Sequence, residues 1–172
     1  MAIVFGDGTQ HSRSQYGRKL IYPYVSYTDF SLSTNTYTSI WTGMTITPRS
    51  SSSKILIEAV MAGEFGNLQS LYKTAFNYTR NGTLIWPGTA GSRNYGYTSA
   101  AQNYQSDSSN TAEYYHFRYI DSPNTTSSVT YTVGLRSGGN SGTWRMNRTW
   151  SDSNGQDYSR YASICTITEI LP

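Results

Sequence analysis

The chain has 172 residues and a formal net charge of +3; only 13% of its residues are charged, while Ser and Thr together number 47 and tyrosine 16. That length fits one domain able to bury a core without disulfide staples. No run of Lys or Arg exceeds Arg18-Lys19, one cysteine (Cys165) is present, and no 18-residue apolar run occurs, which excludes a clustered basic face for nucleic acid, an intramolecular disulfide, a multi-cysteine zinc site and a membrane-inserted helix.

The first 35 residues carry scattered glycines, Pro23 and no sustained period. They read as an extended N-terminal arm, ordered by a neighbour or else a plain flexible terminus. The opening MAIVFGDGTQ has no basic segment followed by an apolar one, so it does not read as a secretion signal. From residue 36 to 172 the expectation is a single β domain.

In YTSIWTGMTIT, Ile40, Thr42, Met44 and Ile46 fall on one face, as a half-buried antiparallel strand requires. KILIEAVM alternates Ile55, Ile57, Ala59 and Met61 with Lys54, Leu56, Glu58 and Val60; its second face is also apolar, which predicts a central or covered strand. Next come Tyr72, Thr74, Phe76 and Tyr78, with Asn81-Gly82 at the tip of a type I′ hairpin. Residues 87 to 111 lack pattern and predict a long surface loop or short irregular strands.

AEYYHFRYID sets Tyr115, Phe117 and Tyr119 against His116, Arg118 and Ile120. VTYTVGL aligns Val129, Tyr131, Val133 and Leu135, and TWRMNRTW aligns Trp144, Met146, Arg148 and Trp150. YASICTITEIL is the closing strand. Seven or eight strands and no helix beyond one turn predict an all-β antiparallel sandwich, jelly-roll-like. PRSSSSK and SPNTTSSV, each opened by a proline, then become crossings between sheets whose hydroxyls bond their own backbone.

Chemistry-bearing residues are sparse. His11 lies in the arm and His116 on the strand face opposite Phe117, and the ten acids are dispersed, so the chain reads as no enzyme, with no catalytic residue, cofactor or metal. DSNGQD resembles a calcium loop in composition, but its glycine offset is wrong for an EF-hand, and a turn through Asn154-Gly155 is the simpler reading. The sequons at Asn77, Asn81, Asn124 and Asn147 follow from an Asn-, Ser- and Thr-rich composition. The aromatic content is the functional lead: Tyr95, Tyr97 and Tyr104 lie in the irregular loop near Trp86, a set suited to surface binding because tyrosine joins an apolar body to a hydroxyl.

The order of an IWTG strand, TPRSSSSKILIEA, an Asn-Gly hairpin, DSPNTTSSVTYTVGLRS, MNRTW and SICTITEIL resembles small tailed-bacteriophage structural proteins, the tail-fibre-like proteins of phages of cyanobacteria and other aquatic bacteria. The resemblance covers residues 36 to 172. FGDGTQ also looks like the D-G-T-x-Q phrase that opens the knob in related fibres. The resemblance implies a homotrimeric β-sandwich knob on the virion exterior, on tail or baseplate, assembled in the bacterial cytoplasm and adhering to a host surface glycan. Phe5, Asp7, Gly8, Thr9 and Gln10 would anchor the arm to other virion proteins. Capsid decoration (cement), a free carbohydrate-binding module using Trp86, Trp144 or Trp150, and a polysaccharide hydrolase are the other readings.

Overall fold

The computed structural model describes residues 17–65, 73–86, 88–100, 110–139 and 141–172, together with the backbone of 3–4, 10–11 and 16. Phe5, Asp7, Gly8, Thr9 and Tyr104 lie outside the described residues, as does the side chain of Gln10. The described residues contain no helix, so none is long and apolar enough to cross a membrane.

Thirteen strands follow in chain order: β1 (Ile3–Val4), β2 (Gln10–His11), β3 (Tyr16–Tyr24), β4 (Thr28–Leu32), β5 (Tyr37–Ile46), β6 (Lys54–Phe65), β7 (Thr74–Arg80), β8 (Thr83–Ile85), β9 (Thr98–Ser99), β10 (Glu113–Asp121), β11 (Val129–Ser137), β12 (Gly142–Met146) and β13 (Ser163–Ile170). β1 and β2 pair only with each other. The other eleven occupy eight lanes, because three lanes are interrupted. β12 and β13 lie end to end along the edge of β6 opposite β10. β3 and β4 lie end to end outside β13 and β12, while β8 and β9 share one edge of β7. Numbered in chain order, the lanes run 1-8-3-6 in the first sheet and 2-7-4-5 in the second. This is the double Greek-key order of a jelly roll, so the sandwich expected from the sequence is the observed fold.

The core fills the space between the sheets. Ile55, Ile57, Ala59 and Met61 of β6 are fully buried, opposite Phe76 and Tyr78 of β7 and Tyr131, Val133 and Leu135 of β11. Trp144 is enclosed by the rings of Phe65 (4.7 Å), Tyr115 (5.6 Å) and Phe76 (5.7 Å). Side chains also tie the sheets together around Asp121. The Arg80 guanidinium of β7 donates to both oxygens of Asp121 at the end of β10, and Tyr131 of β11 donates to Asp121 Oδ2 at 2.7 Å. Burial first, and the bond to Asp121 second, push the Tyr131 phenol upward.

The two polar tracts are the crossings predicted for them. PRSSSS carries the chain from β5 in the second sheet to β6 in the first, and SPNTTSS carries it from β10 in the first to β11 in the second. Ser52 N–H donates to Ser50 Oγ, Ser53 N–H to Ser50 O, and Ser127 N–H to Thr125 Oγ1. Each such local bond stabilises by about 0.5–1.5 kcal/mol. At the hairpin tip Asn81 has φ 50° and Gly82 φ 79°, the positive pair that a type I′ turn demands.

Three expectations are corrected. Residues 16–24 and 28–32, within the stretch read as an arm, are hydrogen-bonded outer strand: Leu20, Tyr22 and Tyr24 pack against the core, and Pro23 is tolerated there as an edge position. In β5 Trp41 is buried and Thr42 exposed. A bulge between the Tyr131 and Val133 positions, with Gly43 at φ 87°, rotates the strand. The TWRM strand stops at Met146, so Arg148 and Trp150 are not in it; Asn147 turns the chain out with φ 62°. The excursion through DSNGQD turns at the expected place, with Tyr158 N–H donating to Gly155 O, and is closed by an Arg148–Arg160 bridge and an Asp152–Arg160 ion pair.

Candidate functional site: an aromatic cleft on the second sheet

β7 is buried on both faces. Phe76 and Tyr78 point into the core, whereas Ala75 and Asn77 face outward and are covered by the chain at Tyr95 and Gly96. That chain is pinned residue by residue. Asn77 Nδ2 donates to Ala75 O and to Tyr95 O (3.1 Å), Tyr97 N–H to Phe76 O (2.8 Å), and Ala100 N–H to Thr74 O (2.9 Å). Gly96 is required by proximity: a Cβ there would fall 2.5 Å from Phe76 O and 2.6 Å from Ala75 Cβ. Gly91, at φ 59°, permits the turn in which Arg93 N–H donates to Ala90 O.

Between this covering segment and the sheet edge lies a cleft of about 690 Å³, lined among others by Lys73, Trp86, Arg93, Asn94, Tyr95 and Ser99. The Trp86 ring sits 5.4 Å from Tyr95 and 5.7 Å, edge-on, from Tyr97. The Arg136 guanidinium lies 5.0 Å over the Tyr95 ring, a cation–π contact that fixes the ring. Asn94 donates through Nδ2 to Lys73 O and to Arg136 O, so it ties the cleft wall to β11. The described lining contains Lys73 and Arg93 and no Asp, Glu or His.

Three of the four aromatic residues singled out in the sequence are thus brought together, with different roles. Trp86 and Tyr95 line the cleft. Tyr97 packs on the core between Tyr78 and Tyr119, and its hydroxyl donates to Ile85 O at 2.8 Å; burial pushes its phenol upward. It supports Trp86 rather than presenting itself. The other tryptophans are not platforms. Trp144 is fully buried, and one face of Trp150 is taken by the Arg145 guanidinium at 3.1 Å. Sequence reasoning missed Arg93, Asn94 and Arg136, which show no pattern; only Arg93 and Asn94 lie in the aromatic loop itself, and Arg136 arrives from β11.

Cys165 is buried and its thiol is pushed upward by desolvation. His116 is exposed on the outward face of the first sheet, as the alternation required. Among the described residues, no group of three or more His, Cys, Asp or Glu is placed to hold a metal ion. The sequon residues Asn77 and Asn147 are fully buried, and Asn81 and Asn124 take positive φ, so turn geometry and packing account for all four.

Comparison with models of protein families gives no match, and comparison with curated proteins gives none. Among solved structures the chain is similar to that of the infectious bursal disease virus Gx strain, with TM-score 0.38 and 10% identity, and to that of the infectious bursal disease virus VP2 subviral particle, with TM-score 0.38 and 9% identity. The alignments cover 100% of this chain and 45% and 46% of the others, so the chain spans less than half the length of either.

Proposed function

We propose that the chain is a structural component of a virion, an exterior jelly-roll knob of a tailed bacteriophage that acts as a homotrimer and contacts the host surface. The observation that carries this reading is the lane order 1-8-3-6 and 2-7-4-5, the double-sheet architecture used by viral shell and lectin domains. Fold alone does not fix function, and two further features support the reading. The segments that carry the resemblance to tail-fibre-like proteins are the two crossings and the strands they feed. In addition, the outward face of the first sheet is bare: Ile120 is 50% exposed, Ile164 45% and Ile21 61%. In register, His116, Val60 and Ile164 form one row, and Arg118, Glu58, Thr166 and Ile21 form the next. Such a face suits burial against another copy, and it would leave the cleft on the opposite sheet free to face outward.

The arm, including Phe5, Asp7, Gly8, Thr9 and Gln10, serves in this reading to attach the knob to other virion proteins. Capsid decoration uses the same fold and the same subunit face, with the arm lying on shell subunits instead. The cleft itself favours a second reading, a free carbohydrate-binding module, since Trp86 and Tyr95 offer apolar ring surface beside amides and cations. Light scattering of the purified chain separates them. A mass of three chains supports the knob, while a monomer overturns the trimer and favours the module.

A further inference from the structure

We infer that the Trp86 cleft takes an acidic saccharide, a pyranose unit bearing a carboxylate. Trp86 and Tyr95 supply aromatic surface against which the C–H faces of a sugar ring can lie, and both rings are held from behind, Trp86 by Tyr97 and Tyr95 by Arg136. A preorganised wall of this kind loses little rotamer freedom on binding. Gly96 and Gly138 present backbone without side chains along the cleft, and both are held tightly, Gly138 through its N–H to Lys73 O at 2.8 Å. Thr89, Thr98 and Ser99 add hydroxyls at the lining, suited to a ligand rich in hydroxyls of its own.

Charge decides between a neutral and an acidic sugar. Every charged side chain in the described lining is a cation, Lys73 or Arg93, and Arg136 lies just behind Tyr95. Arg93 is exposed at the cleft mouth, and its Nη1 donates to Ala90 O at 3.4 Å. That bond is long, so the fork retains donors for a carboxylate, the anion its planar geometry matches.

This inference deepens the adhesive part of the proposed function and rests on that part alone. The two fail separately, because sugar binding is measured on the purified chain whatever its place on a virion. Calorimetric titration would use a galacturonic-acid tetramer, its neutral galactose counterpart, and inorganic phosphate alone. The expected result is heat with the acidic tetramer, affinity about tenfold weaker for the neutral one, and a matching loss in the acidic titration for Arg93→Gln. Trp86→Ala should abolish binding of both tetramers. Arg93→Gln alters an exposed side chain and keeps the test valid if Trp86→Ala does not fold. Equal affinity for the two tetramers, no binding of the acidic one, competition by phosphate alone at the same concentration, or unchanged binding in Arg93→Gln would each overturn the assignment.

Discussion

The amide of Asn147 sits where two neighbouring lanes are interrupted at the same level. Its Nδ2 donates to Tyr24 O (2.7 Å) and Ser26 O (3.1 Å), spanning the gap between β3 and β4, while its Oδ1 accepts from Ser163 Oγ (2.7 Å) at the start of β13. Its own N–H and C=O bond Ala62 O and Tyr161 N–H. The residue is fully buried at φ 62°, a conformation that Asn tolerates far better than Ala. Asn147→Ala should therefore destabilise by about 2–4 kcal/mol, measured by urea unfolding, since it strands two carbonyls and a hydroxyl and strains the backbone. Nothing in the sequence marked this residue except a sequon, because its partners are 14 to 123 positions away. Tyrosine burial sets a second residue-scale expectation. Desolvation raises the Tyr37 phenol from 10.0 to about 12, and Tyr78, Tyr97, Tyr115 and Tyr131 are raised for the same leading reason. Above pH 10 the unfolded chain loses these protons while the folded chain keeps them, so stability is complete below pH 10 and falls as pH rises through about 12. Urea midpoints should hold steady from pH 7 to 9 and drop steeply beyond 10; a flat profile to pH 11 would contradict the burial of these phenols.

At the scale of elements, what could be read in advance was what alternation and local turn chemistry encode. β6, β10 and β11 bury the faces predicted for them, the Asn81-Gly82 hairpin has its predicted geometry, and both proline-led tracts cross between sheets. What escaped were features set by partners remote in sequence: the pairing of β3 with β13, the bulge at Gly43 and the interruption at Asn147. The cleft was half legible. Trp86 and Tyr95 stood out by residue type, but their cationic neighbours come from three separate segments. The Asp121 tie between the sheets was equally invisible, although it joins three elements. Asp121 is 5% exposed and binds Arg80 and Tyr131. Asp121→Ala leaves the Tyr131 hydroxyl without its acceptor and should cost about 2–4 kcal/mol. Asp121→Asn, which keeps an acceptor, should cost less, and thermal melts of the two variants check the order.

The whole molecule has two unlike faces. The second sheet is roofed by the segment that builds the cleft, and the first sheet presents Ile21, Ile120 and Ile164 to solvent. If the bare face joins copies in the knob, Ile120→Glu with Ile164→Glu should convert the trimer to a monomer of unchanged melting behaviour in the absence of subunit contacts, because neither side chain belongs to the core. A trimer that survives the double substitution would move the subunit face elsewhere. The central claim concerns where the chain resides, and electron microscopy of purified virions labelled with gold-conjugated antibody to the chain tests it directly. The account predicts label on the tail or baseplate; label spread over the head would replace the tail-fibre reading with capsid decoration, and virions without label would contradict a structural role in the particle.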